Sequence, residues 1–271
     1  QVEAAARELM RYAMSERPAP QGQGTAYSEN QDAEYMAAVE RGDMETAQRM
    51  VDEAAKAAGY NVGPLWHGSW RGDFNTFKPS SHGKVGRGVY FTNAKKVAEF
   101  HAKGRDGDWG KNAIYRAYLK GRFLETGEKP RPGYLMREDV LLPQEVVDAL
   151  NAKGITTSNG YPVSKYTSLK TVFNPGGWMS YRSQEISDII EGFGYSGIIL
   201  HDSDTAADTE TVVFNPNQIK SADPVTRDDQ GNVIPLSQRF NAQSNDIRYS
   251  AYNDFEQVFG IINGDVKPLR S

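Results

Sequence analysis

Two short β-favouring runs carry the residues best suited to chemistry. Leu65-Trp66 leads into His67-Gly68-Ser69, and Gly86-Arg87-Gly88 leads into Val89-Tyr90-Phe91-Thr92. Both runs are brief, apolar and punctuated by glycine, which predicts two short buried strands. Each presents one functional side chain, His67 or Tyr90, beside a glycine that lets a ligand approach the main chain. Side by side, the strands would set an imidazole, a phenol ring and a bare peptide edge around one slot, suited to a flat ring bearing an amide. Taken singly, both residues also have an ordinary reading, a structural histidine at a strand end and a core tyrosine.

The surrounding chain supplies elements to position them. Val2 to Met14 and Ala33 to Glu40 predict helices, with a Pro/Gly/Gln/Ser-rich linker over Ser15 to Asn30. Met44, Ala47, Met50, Val51 and Ala54 form one apolar stripe on a further helix to Ala58, ended by Gly59. This stripe reads as a docking face, so residues 31–60 form a helical lead-in. Between the two chemical strands, Asp73 to Phe77 turns back on the core, and Lys78 to Gly86 has the makings of a mobile lid. A helix from Asn93 to Lys103, with Thr92 or Asn93 as N-cap, follows Tyr90. Ala113 to Leu119 predicts a strand that Gly121 to Leu124 extends, and Gln144 to Ala152 and Ser183 to Gly192 predict helices. Gly194 to His201 and Thr211 to Phe214 predict late strands around a polar loop. Asp/Asn/Gln/Pro/Arg-rich residues from Asp223 to Ser250 read as a linker, with another element starting over Tyr252 to Ile262. Many short strands and few helices make an α+β class.

Composition narrows the function. The chain has 271 residues, enough for a substantial core, and a net charge of −4, which argues against a general nucleic-acid binder. Residues 94–123 hold eight Lys/Arg, including Lys95, Lys96 and Arg116, read either as a solvated face or as a surface steering an anion. Zero cysteines exclude disulfides and thiolate chemistry. Mean hydropathy is −0.63, and no apolar run approaches a membrane span. The chain opens on Gln without a secretion leader and reads as a piece of a longer polypeptide in the cytoplasm. His67, His82, His101 and His201 are too scattered for a metal site. Residues 83–88 lack the Lys-Ser/Thr ending of a phosphate loop.

Leu-Trp-His-Gly-Ser (65–69) followed by Gly-Val-Tyr-Phe (88–91) resembles the core of ADP-ribosyltransferases of the diphtheria-toxin/poly(ADP-ribose) polymerase type. The likeness extends, in particular, to the transferase domain of phage and mobile-element polyvalent proteins, through Asn217 to Ser221 and the tail Asn241 to Ser250. It spans roughly residues 62 to 222. The resemblance implies two small, mostly antiparallel sheets around an NAD cleft in a catalytic domain over 61–222, after the lead-in and before a linker from 223. It implies a His–Tyr–Glu triad, and the run Thr209 to Asn215 nominates Glu210 at the start of the late strand. NAD is then the substrate, with no metal.

In that scheme, cleavage of the nicotinamide–ribose bond builds an oxocarbenium-like centre that needs a nearby carboxylate, here Glu210. His67 holds a ribose hydroxyl, Gly68 offers its main chain to the carboxamide, and Tyr90 stacks on the ring. Ala98 stands where relatives carry a hydroxyl, so that donor is missing or moves to Ser69 or Thr92. Phe100 or His101 could supply a second face. Asp202, Asp204 and Asp208 precede the catalytic strand and are nominated for acceptor recognition, or else form a solvated acidic loop. The short 70–87 loop favours mono-transfer over polymer growth. The acceptor is an unidentified macromolecule, protein in preference to nucleic acid, met in a bacterial or host cytosol in a phage, toxin or effector setting. Two alternatives stand beside this reading: an NAD glycohydrolase, and a degenerate interaction module.

Overall fold

The computed structural model describes residues 29–72, 74–80, 83, 85–103, 112–127, 141–173, 182–201, 209–240 and 243–249, and the backbone of two strands within 259–268. The predicted helix over 2–14 and most of the first linker lie outside these residues.

Two helices open the described chain, α1 (Glu29–Glu40) and α2 (Met44–Ala57), broken at residues 41–43 as the sequence predicts. The α2 stripe is buried at Ala47, Met50, Val51 and Ala54, and Asp43 caps the helix by accepting the Thr46 N–H. Gly59, at φ +82°, turns the chain out of α2 in a left-handed conformation that glycine adopts without cost. The strands are β1 (Val62–Ser69), β2 (Val89–Thr92), β3 (Ala113–Leu119), β4 (Phe123–Gly127), β5 (Gly197–His201), β6 (Thr209–Val213) and β7 (Ile219–Ser221). Helices α3 (Lys95–Ala102), α4 (Gln144–Ala152), α5 (Leu169–Phe173) and α6 (Ser183–Gly192) complete the domain. The class is α+β. The α5 turn, of five residues, is too short for helical periodicity to show in the sequence.

Instead of two sheets, the strands join into a single seven-stranded sheet in the order β4-β5-β6-β2-β1-β3-β7. The join is slight. β2 pairs with β6 over Val89↔Val213 to Thr92↔Glu210, and β1 pairs with β3 along most of its length, but β1 and β2 share only Trp66↔Thr92. Two half-sheets, β4-β5-β6-β2 and β1-β3-β7, are therefore connected at their middle by one backbone rung. A further two-stranded ribbon, β8 (Phe259–Ile262) and β9 (Asp265–Pro268), is separate from the sheet.

Each half-sheet has its own cover. One face of β4-β5-β6-β2 packs on α4, α5 and α6 through Ile198, Val212, Val146, Phe173 and Ile190. A second cluster, around Phe77, Phe91 and Leu119, draws residues from both half-sheets and is closed by Ile247 from near the end of the described chain. The lead-in helices bury Tyr35, Met50 and Val51 against Tyr118 of β3 and Leu236.

The segment from 223, read as a linker, packs on the domain through 249. Arg239, 1% exposed, donates to the carbonyls of Ser221, Asp223 and Pro224 and to the Tyr35 hydroxyl of α1. Lys220 of β7, fully buried, donates to the carbonyls of Ser244, Asp246 and Tyr249. Polar composition misled here because the strap is held by two buried cations gripping main-chain oxygens, which hydropathy does not register.

Candidate active site

The site is the gap where β1 and β2 part. Past the Trp66↔Thr92 rung, Gly68 would lie opposite Tyr90 if the ladder continued. His67 intervenes: its Nδ1 lies 2.7 Å from the Tyr90 carbonyl oxygen. A carbonyl only accepts, so Nδ1 carries the proton and Nε2 is left as an acceptor. The Tyr90 carbonyl thus faces β1, and strand alternation turns the peptide groups of Thr92 and Trp66 toward one another. Those of Gly68, two residues beyond Trp66, are turned into the gap.

The imidazole is set in an aromatic nest. Its ring centroid lies 4.9 Å from Phe77, 5.6 Å from Phe91 and 6.2 Å from Tyr115. Burial pushes the His67 pKa below the usual imidazole range, the Tyr90 carbonyl pulls it back up, and the charge of His101 lowers it again. His67 is therefore neutral at neutral pH.

Tyr90 shares a face with Thr92, Val212 and Glu210, by the pairs Tyr90↔Val212 and Thr92↔Glu210. Its hydroxyl donates to the Gly86 carbonyl at 2.5 Å and accepts the Val85 N–H at 3.3 Å. A Cβ on Gly83 would stand 2.0 Å from the phenol tip, so Gly83 closes directly over the ring's outer end. Paired main-chain bonds between Ser80 and Gly88 tie the base of this loop. Burial raises the Tyr90 pKa far above the usual phenol range, the Val85 N–H opposes this, and the charge of Glu210 adds to it. Glu210 stands diagonally from Tyr90 across the β2–β6 pair, on the same face of the sheet.

Glu210 is the second residue of β6, flanked by Thr92 on one side and Leu200 of β5 on the other. Its Oε2 is sealed from solvent. Thr209, just before it, gives its main-chain N–H to the Asn93 side chain at 3.0 Å. Sequence reasoning saw Asn93 only as a helix cap. In the structure Ala94 stands at the N-cap of α3 with no side-chain bond, and Thr92 Oγ1 accepts the Ala94 N–H.

The remaining nominated residues divide. His101 is near enough to act on His67, whereas Phe100 turns to solvent at 74% exposure, edge-on to His101. Ser69 Oγ is engaged in a local turn with the Arg71 main chain. Ala98 is buried, and its carbonyl oxygen lies 1.8 Å from where a Cβ on Gly68 would be. A small residue at 98 and none at 68 are what this helix–strand crossing demands, independent of any ligand. Asp202, Asp204 and Asp208 lie outside the described residues, as does His82. Among the described residues, no group of three or more His, Asp or Glu could hold a metal ion, and no helix is long and apolar enough to cross a membrane.

No curated protein and no solved structure shows a significant match to the chain. A family model described as ADP-ribosyltransferase in polyvalent proteins matches residues 61–228, from the residue before β1 to the start of the C-terminal strap. That span holds both half-sheets and the gap between them, and is more than half of the chain. The chain belongs to the ADP-ribosyltransferase family of polyvalent proteins.

Proposed function

We propose that the protein cleaves NAD at the nicotinamide–ribose bond and transfers single ADP-ribose units to a protein acceptor. The observation that carries this reading is the gap itself: the Gly68 main chain, the His67 imidazole and the Tyr90 ring border one break in the sheet, and Glu210 stands diagonally from Tyr90 on the neighbouring strand. The peptide groups of Gly68 offer a donor and an acceptor in the plane of a ladder rung, the complement of a carboxamide. Tyr90 supplies an aromatic wall for the nicotinamide, positioned by its bonds to Val85 and Gly86. His67 Nε2 accepts a hydrogen bond from a ribose hydroxyl, since Nδ1 is committed to Tyr90.

Glu210 supplies the charge. As the bond to nicotinamide breaks, positive charge grows on the ribose, and a carboxylate shielded from water stabilises it more than an exposed one would. The electron pair of the breaking bond goes to the nicotinamide nitrogen, which leaves neutral. The acceptor's nucleophile then bonds to the ribose carbon and gives up its proton, for which Glu210 is the base. Water in the acceptor's place gives hydrolysis; Ala98, without a hydroxyl for the nicotinamide, is the residue that favours a non-catalytic module instead. In this reading the protein acts in the cytosol of a bacterium or its host, as part of a phage or effector polypeptide.

Glu210→Gln tests the assignment. Nicotinamide release from NAD should fall by a factor on the order of 10² or more while NAD still binds; an unchanged rate would remove Glu210 from the chemistry. Labelled NAD incubated with cell lysate separates the outcomes: label on protein supports transfer, and free ADP-ribose alone means hydrolysis.

A further inference from the structure

We propose that Asn93 is a positioning residue that sets the height at which Glu210 enters the site; this rests on the role given to Glu210 above. Asn93 follows Thr92, and Thr92 is the cross-strand partner of Glu210. The Asn93 Oδ1 accepts the N–H of Thr209, the residue before Glu210, at 3.0 Å across 116 residues of chain. One corner of the chain therefore grips β6 twice, through the ladder at Glu210 and through a side-chain amide one residue earlier.

The position matters because Thr209 opens β6. The first residue of a strand is where pairing frays most readily, and a shift of one residue there would turn Glu210 to the opposite face. Asn93 forecloses the slip by fixing the Thr209 N–H from outside the ladder. It does so at the expense of a second use. An asparagine just before a helix is among the preferred N-caps, yet α3 begins two residues later with no side-chain cap. The Asn93 Oδ1 is given to β6. Asn93 is itself solvent-exposed, so no packing demand explains its orientation.

The test compares Asn93→Ala, Asn93→Asp and Glu210→Gln in the full chain, measuring nicotinamide release against NAD concentration together with thermal unfolding. Asn93→Ala should lower kcat by a factor on the order of 10 to 10², the penalty for a displaced catalytic group. KM for NAD should stay within about twofold and Tm should hardly move, since ground-state binding is untouched. Asn93→Asp keeps an oxygen in the same place and should recover most of kcat. A wild-type kcat in Asn93→Ala, or a loss that comes as raised KM or that Asp does not recover, overturns the positioning role while leaving Glu210 in place. Undiminished turnover in Glu210→Gln overturns the reading on which the inference stands.

Discussion

The imidazole of His67 reaches across the seam of the sheet to the main-chain carbonyl of Tyr90, 2.7 Å away. It occupies the place of a backbone rung, so the two half-sheets are joined by one true rung, Trp66↔Thr92, and one side-chain substitute. The same bond fixes the tautomer and so decides which nitrogen faces the gap. The structural role and the chemical role proposed above thereby fall to one residue.

Protonation of His67 should therefore be costly in two ways. Its pKa in the folded protein lies below the ordinary value of about 6.5. A group depressed in the folded state contributes stability that is complete above the unfolded pKa and is lost as pH falls toward the folded one. Tm should thus decline on acidification below about pH 6.5, and nicotinamide release should decline with it as Nε2 gains a proton. His67→Gln, which can still donate to the Tyr90 carbonyl but does not titrate, should lose this component of the Tm slope. Scanning calorimetry from pH 8 to pH 5 on both proteins checks the sign.

Gly68 should tolerate no side chain. A Cβ there would stand 1.8 Å from the Ala98 oxygen and 2.9 Å from the Ala102 nitrogen, both main-chain atoms of α3 that do not rotate aside. Gly68→Ala should destabilise by about 3 kcal/mol, the upper part of the usual range for overpacking. By contrast, Gly154→Ala, where nothing lies within 4 Å but φ is +66°, should cost about 1 kcal/mol from the backbone alone. Denaturant melts of the two variants separate crowding from conformational strain.

The family match ends at 228, but the folded unit should not. Arg239 joins the strap to α1 through the Tyr35 hydroxyl, and Lys220 holds the strap's end to β7. A fragment of residues 61–228 lacks Arg239 itself and the carbonyls that Lys220 grips, and should remain unfolded, whereas 29–249 should melt cooperatively. Arg239→Met in the full chain should cost about 3 kcal/mol, because several buried acceptors lose a charged donor at once. Circular dichroism of the fragments and of the variant gives the answer directly.

Much of this was legible in the residues. The strands around His67 and Tyr90, the α2 stripe and the helices over Gln144–Ala152 and Ser183–Gly192 follow from periodicity and glycine placement, which act locally. What escaped was carried by contacts distant in sequence. The ladder between the two half-sheets has a single pair, Trp66↔Thr92, which no local pattern announces. Asn93 reads as a helix cap until Thr209 is brought beside it. Lys220 and Arg239 look like surface cations because their partners are carbonyls, the one acceptor that every residue type carries alike.

The break in the ladder also bears on how tightly sequence is bound to chemistry. A guest seated between Gly68 and Tyr90 would be read largely by peptide atoms, standing in for an absent stretch of strand. Main-chain recognition leaves the neighbouring side chains at liberty to drift, provided the seam stays open and its few fixed members keep their places. Chains with little written resemblance could then cradle the same molecule.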